Sequence, residues 1–449
     1  MVRNNICVRI AWLGLLSAIP LATSGPAVAE IKKIAITSSS DIGPFRGKSY
    51  REVQATMEGV APGGVYSVPT VLAYPKVAAD HNGFAVVDIV NTVTIGKEQF
   101  VLGGKPLALA RSHMGDKFLF GRGNAYVGVI WDKTAVEALG NGTIATLADG
   151  YTILRDAAAL ARNPAEYLSA DAGFAPVASK IVAYGYSQTG GLLRSWYFDH
   201  LNSQGGTTTF DGAVIGGAGG ACYDLQRSEW KGCGGSLADG GKVISILPET
   251  DVEWGGDAER GDHPDYRVLE IAGVSHIPAS AADFRSHGMP EQNPAGFEPV
   301  VRAALVNLEE WLNGREPPPS AAMELSDSPP RMFDGAPVRS AARDADGNAK
   351  GGVRLPHMAT ILSDGTKAGA PLGHYTGFAW DYEKSNFFFT LGGTFTPFPE
   401  EKLRALYPTH DAYVSAVSLA AKDLAANRYI LQEDADAYVQ AAVKSDIGN

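Results

Sequence analysis

Val182-Ala183-Tyr184-Gly185-Tyr186-Ser187-Gln188-Thr189-Gly190-Gly191 begins as an apolar, β-type run and turns helical within a few residues. Lys180–Tyr184 reads as a short buried strand, and Thr189–His200, entered through Leu192 and Leu193, reads as a helix. Gly185-Tyr186-Ser187 lies between them. A serine on so tight a strand-to-helix turn is forced onto a strained corner, with its hydroxyl exposed and the next backbone N–H aimed at the same space. The helix N-terminus behind it favours developing negative charge. Glycines before and after let the strand and helix backbones approach closely. One position departs from the usual pattern: Thr189 stands where a second glycine is common, and Gly190 follows it.

Outward from this turn the chain alternates short apolar runs with helical stretches. Val71–Tyr74, Phe84–Val90, Tyr126–Trp131, Gly212–Ile215, Val243–Leu247 and Tyr266–Ile271 read as further strands. Thr143–Ala161 and Phe297–Leu312 read as helices; the first carries Ile144, Leu147, Tyr151, Leu154, Ala158 and Ala161 on one face. Continuous apolar strands separated by helices predict an α/β fold, a mostly parallel sheet with helices on both faces. Pro317-Pro318-Pro319 closes that pattern, and a loop-rich stretch follows to about Gly393 before a helical tail from Glu400. The expected division is a core over 30–314 and an accessory C-terminal region over 315–449, packed on the core and a candidate lid.

Two later segments give the serine its partners. After the strand Val243–Leu247 comes Pro248-Glu249-Thr250-Asp251-Val252-Glu253, and after Tyr266–Ile271 comes Ala272-Gly273-Val274-Ser275-His276. Nucleophile, acid and histidine therefore follow one another in the order Ser187, Asp251, His276, each after a strand; such loops share one edge of a parallel sheet. Serine at its own pKa is a poor nucleophile, so an imidazole must take its proton, and a carboxylate must fix the tautomer of that imidazole. Asp251 is the expected acid and Glu249 the alternative. The Gln188 N–H is the expected first oxyanion donor, with the second from the loop after Phe84–Val90, at Asn91 or Thr92.

With these residues in view, the chain resembles the bacterial α/β-hydrolase domain family that carries a Gly-Tyr-Ser-Gln-x-Gly elbow, here Gly185 to Gly190. The family's Glu-Thr-Asp turn matches Glu249 to Asp251, and its Glu-x-Ala-Gly-x-x-His segment matches Glu270 to His276. Asp346 to Pro356 and the stretch Leu403 to Tyr413 around Tyr407-Pro408 are similar too, so the likeness covers most of the chain. It implies the α/β-hydrolase fold and a serine hydrolase of carboxylic esters that works without a cofactor or metal. Tyr-Ser-Gln is also similar to cutinases, but only at the elbow. The expected substrate is a small, hydrophobic ester; a lactone, amide or polyester would use the same triad, and a non-catalytic binding protein on this scaffold is the remaining alternative.

Composition narrows the setting. Of 449 residues 45% are hydrophobic and 19% charged, which excludes disorder, and 38 Lys and Arg against 49 Asp and Glu give a net charge of −11. An acidic chain with no long basic run offers no footprint for nucleic acid. Arg3 and Arg9, the apolar stretch Ile10 to Ala22 and Ala27-Val28-Ala29 before Glu30 describe a signal peptide over 1–29, with export to the periplasm or beyond. That apolar run is too short to span a bilayer, and no later stretch serves, so the mature chain is expected to lack a transmembrane segment. Export leaves Cys222 and Cys233, expected to pair as a disulfide.

Other motifs read as scaffold. The acidic crowd of Asp251, Glu253, Asp257, Glu259, Asp262 and Asp265 reads as a solvated rim around one catalytic member. Asp344-Ala345-Asp346-Gly347-Asn348 has Leu355, not glutamate, at the twelfth position of a calcium loop. Gly216-Gly217-Ala218-Gly219-Gly220 lacks the Lys-Ser/Thr of a phosphate cradle. Trp380, Tyr382 and Phe387-Phe388-Phe389 fit either a hydrophobic substrate pocket or core packing.

Overall fold

The computed structural model describes residues 30–92, 108–168, 176–204, 206–233, 240–256, 260–278, 293–333, 336–380 and 390–449. Residues 1–29, where a signal peptide is expected, and Asp257, Glu259, Tyr382 and Phe387 to Phe389 lie outside the described residues.

The chain runs β1 (Ile31–Phe45), β2 (Lys48–Ala61), β3 (Gly64–Pro75), β4 (Phe84–Ile89), α1 (Leu109–Met114), α2 (Asp116–Leu119), β5 (Ala125–Val129), α3 (Lys133–Leu139), α4 (Asp149–Arg162), β6 (Lys180–Tyr186) and α5 (Gln188–Phe198). It continues through β7 (Gly212–Gly216), β8 (Ala221–Asp224), β9 (Glu229–Gly232), β10 (Lys242–Pro248), α6 (Glu249–Trp254), β11 (Tyr266–Ile271) and α7 (Glu298–Leu312). The described strands form a nine-stranded sheet in the order β1-β2-β3-β5-β4-β6-β7-β10-β11. From β5 to β11 all neighbours are parallel, and β4, β5 and β7 are buried at every residue, as strands covered on both faces must be.

Side-chain alternation along β6 puts helices on both faces. Tyr184 and Tyr186 point to the side of α1 and α7, where they meet His113 and Phe297. Gly185 points the other way, and a Cβ there would sit 2.5 Å from the Thr189 carbonyl oxygen of α5. α4 and α5 share that second side, with Tyr151 and Trp196 rings 5.9 Å apart.

Two features differ from the expectation. The sheet is mostly parallel as expected, but β1, β2, β3 and β5 pair antiparallel, and the long meander Ile31–Pro75 replaces a strand expected only at Val71–Tyr74. Helix α4 begins at Asp149 rather than Thr143, because Thr143 exchanges backbone hydrogen bonds with Ser67 at 2.7 and 2.8 Å. The Asp149 carboxylate accepts the amides of Thr146 and Gly63 at 2.7 and 2.9 Å, which fixes the start of the helix on the meander.

The tail forms α8 (Glu400–Leu406), α9 (His410–Ala426) and α10 (Gln432–Val443). Thr409 caps α9 by accepting the Ala412 amide. The segment before it pairs with the outer edge of β11 through parallel bridges Leu269 to Ala321 and Ile271 to Val353. Cys222 and Cys233 are joined by a disulfide across the base of the β8–β9 hairpin, with Cα atoms 5.1 Å apart. None of the described helices is long and apolar enough to cross a membrane.

Candidate active site

Chain order reverses at the middle of the sheet: β5 lies on one side of β4 and β6 on the other. Ligands of open α/β sheets bind in the crevice at such a switch point, beyond the strands' carboxyl ends. Ser187 follows β6 there, and Asn91 and Thr92 follow β4.

Ser187 has φ 59° and ψ −119°, a left-handed conformation that costs a non-glycine residue free energy and needs surrounding support. The support is backbone. Its N–H donates to the Gly216 carbonyl at 3.0 Å, and its carbonyl accepts the Gly191 N–H at 2.9 Å. A Cβ on Gly190 would come within 2.4 Å of the Gly216 oxygen, so glycine is required there. Thr189 departs from the usual glycine without strain because it is already helical. Its hydroxyl accepts the Tyr186 N–H at 3.0 Å and donates back to the Tyr186 carbonyl at 3.1 Å, tying the turn across its neck.

Ser187 Oγ lies 3.0 Å from His276 Nε2, and His276 Nδ1 lies 3.0 and 3.1 Å from the two oxygens of Asp251. A carboxylate only accepts, so Nδ1–H donates to Asp251 and the bare Nε2 faces the serine hydroxyl. Asp251 is 3% exposed and His276 7%, whereas Ser187 is partly open to solvent. The imidazole is held from behind as well. The His276 N–H donates to Thr250 Oγ1 at 2.9 Å, Thr250 donates to the Gly377 carbonyl at 2.6 Å, and the Tyr186 hydroxyl donates to the His276 carbonyl at 2.6 Å.

Glu249 is not brought to the histidine. It accepts the amides of Gly273 and Gly377 at 2.8 and 3.0 Å and the Arg343 guanidinium at 2.7 Å. As the alternative acid it is therefore set aside in favour of Asp251. Arg343 also reaches Glu253 at 2.9 Å. Burial, then the adjacent Glu249 charge, pushes Glu253 above the usual carboxylate range, with Arg343 pulling against both. Neither Arg343, deep in the C-terminal loops, nor its bridging of two carboxylates has a signature in the sequence.

The Gln188 N–H opens α5, one of the first-turn amides with no intrahelical acceptor. Asn91 and Thr92 do sit beside the elbow, but both are tied to it. The Asn91 side-chain amide donates to the Tyr186 carbonyl at 3.0 Å, and the Thr92 N–H donates to Gln188 Oε1 at 3.3 Å. Of the acidic crowd, Asp265 pairs with Lys242 and Asp262 with Arg267. The described residues hold no cluster of His, Cys, Asp or Glu suited to a metal ion. Asp344 Oδ1 accepts the amides of Asp346 and Asn348, and Arg354 and Lys402 pair with the Asp344 and Asp346 carboxylates, so the turn serves as scaffold. The glycine run after β7 serves close approach: a Cβ on Gly219 would lie 2.3 Å from the Asp251 carbonyl. Trp380 stacks on Phe378 at 4.9 Å within a small apolar cluster that includes Val338, Leu391 and, at its rim, Ile277.

His113 escaped sequence reading. It hydrogen-bonds the Tyr184 hydroxyl at 2.6 Å and meets the Tyr186 ring edge-on; Tyr186 in turn packs on His276. Burial and then the nearby His276 push its pKa down to about 3, so it stays neutral and acts as packing.

A family model described as Alpha/beta hydrolase domain matches residues 49–440. The chain belongs to this family. No curated protein matches it. Among solved structures it is similar to a rice cell wall degrading esterase, LipA, from Xanthomonas oryzae, at 14% identity and a TM-score of 0.27, over 40% of this chain and 49% of that one. It is also similar to a glucuronoyl esterase from Solibacter usitatus at 11% identity and a TM-score of 0.30, over 50% of this chain and 70% of that one. The chain thus spans about half the length of the Xanthomonas esterase.

Proposed function

We propose that this α/β hydrolase is an exported serine esterase. The observation that supports it is the unbroken line from Ser187 Oγ through His276 to Asp251 at the switch point of the sheet. Ser187 attacks the ester carbonyl while His276 Nε2 takes its proton. The imidazolium that forms is stabilised by Asp251, and it returns the proton to the departing alcohol. Water, deprotonated by the same imidazole, then cleaves the acyl-enzyme and releases the acid. The Gln188 N–H and an amide of the Asn91-Thr92 loop stabilise the oxyanion, each worth about 3 kcal/mol. For the Thr92 amide this means exchanging Gln188 Oε1 for the substrate oxygen. Exit from the cytoplasm is supported by the Cys222–Cys233 disulfide, which persists in oxidising compartments.

Replacing Ser187 with alanine is expected to abolish p-nitrophenyl ester hydrolysis and labelling by a fluorophosphonate while the melting curve stays in place. Turnover or labelling retained by Ser187→Ala would overturn the assignment.

A further inference from the structure

The amide of Glu30 donates to Asp156 Oδ1 at 3.0 Å. Asp156, on α4, is fully buried. Its other hydrogen-bond partner among the described residues is the Tyr66 hydroxyl, which is neutral. Arg155, whose charge acts on it, makes its own contacts with the Trp196 ring and Gln204, while the Glu30 carboxylate adds negative charge and Tyr167 approaches Tyr66. Burial accordingly raises the Asp156 pKa to about 6 with the peptide bond before Glu30 intact. A buried carboxylate without a cationic partner is costly to a fold.

Glu30 is also the residue that directly follows Ala27-Val28-Ala29, the small-residue pattern a signal peptidase reads. Sequence and geometry thus single out the same nitrogen by independent routes. We propose that export processing creates the missing partner: cleavage before Glu30 leaves an α-ammonium group that pairs with Asp156 where its amide already sits. Water adds across the Ala29–Glu30 amide bond, its oxygen to the Ala29 carbonyl carbon. The C–N bond breaks, Ala29 leaves as a carboxylate, and the Glu30 nitrogen leaves as a protonated amine. The ammonium brings three N–H donors and a full charge where the amide brought one donor and none. Asp156 is then the receptor for the new N-terminus, and α4 is clamped to the start of β1. This rests on the export reading alone and is independent of Ser187 chemistry.

Two measurements test it separately. Intact mass of the chain recovered from an exporting host should correspond to a start at Glu30; a start elsewhere overturns the processing step. The ion pair is tested on chains released from a fusion so that they begin at Glu30, or at Ala29 one residue earlier. The Glu30 amine should react with an amine-directed ester at pH 8 about fivefold more slowly than in Asp156→Asn, the change expected when its pKa rises by one unit from near 8. The Glu30 form should melt about one to two degrees above the Ala29 form, and Asp156→Asn should erase that difference. Should Asp156→Asn fail to fold, the one-residue extension and Tyr66→Phe carry the test, since Tyr66→Phe keeps the carboxylate and should keep the gap in melting temperature. Equal labelling rates, or equal melting of the Glu30 and Ala29 forms, would overturn the pairing.

Discussion

Replacing Arg343 with methionine removes the cation that bridges Glu249 and Glu253 at 2.7 and 2.9 Å, and both carboxylates are nearly or fully inaccessible, at 0% and 4% exposure. Methionine keeps the side-chain volume but leaves two like charges facing each other on α6. Breaking a buried pair from one side costs about 3–5 kcal/mol. For a chain of this size that is a fall in melting temperature of about 3–6 °C. The sign of the pH dependence follows from Glu253, whose folded pKa stands at about 7, above its ordinary 4.5. The folded state therefore binds more protons between those values, and ionising Glu253 removes stability as pH rises through that window. Without Arg343 the folded pKa climbs further, so the variant's deficit should be large at pH 8 and shrink toward pH 5. Because α6 also carries Asp251, a shift of the helix should lower kcat by about ten- to a hundredfold and leave KM near its parent value. Thermal melts at the two pH values and steady-state ester hydrolysis check all three outcomes. A variant that melts within a degree of the parent at pH 8, or whose deficit is the same at both pH values, would refute the reasoning.

Three more outcomes separate chemistry from scaffold. Asp251→Asn should lose about 10⁴-fold in kcat with a parent-like melt, since the imidazole takes the wrong tautomer, whereas Glu249→Gln should cost stability before activity. Thr189→Val keeps the shape of the side chain but strands the buried Tyr186 N–H, and should lower stability by about 1–3 kcal/mol by denaturant titration. Replacing both cysteines by serine opens a loop with a sequence separation of 11 and should cost about 3 kcal/mol, read as a lower midpoint in urea.

The parallel half of the sheet was legible because strands buried on both faces leave unbroken apolar runs, and Tyr266–Ile271 was placed to the residue. The antiparallel meander was harder to read, since one face of it meets solvent and its residues alternate. Ala55, Met57 and Ala61 on β2 and Tyr66 and Val68 on β3 are buried, with more exposed neighbours between them. That period of two was present in the sequence, but serines and charges hid it. The elbow was legible from local chemistry alone. Asn91 and Thr92 were placed on the right loop, but no local pattern foretells that Gln188 folds back to engage the Thr92 amide. Arg343 and Gly377 lie far along the chain from α6, and only the tertiary fold brings them to it.

The choice among three neighbouring carboxylates shows what a single missed element costs. Read as a loop, Pro248 to Glu253 leaves Glu249 and Asp251 equally free to turn toward His276. As the helix α6, the same residues are no longer equivalent. Positions four apart share a helix face and a position two away lies opposite, so Glu249 and Glu253 must point together while Asp251 points away from both. Two carboxylates on one buried face demand a cation, and Arg343 from the C-terminal loops supplies it, with the amides of Gly273 and Gly377 donating to Glu249 and that of Ala341 to Glu253. The odd carboxylate is left for the imidazole. Helix phase thus turns Asp251 to the imidazole, and the arginine neutralises the two carboxylates on the opposite face.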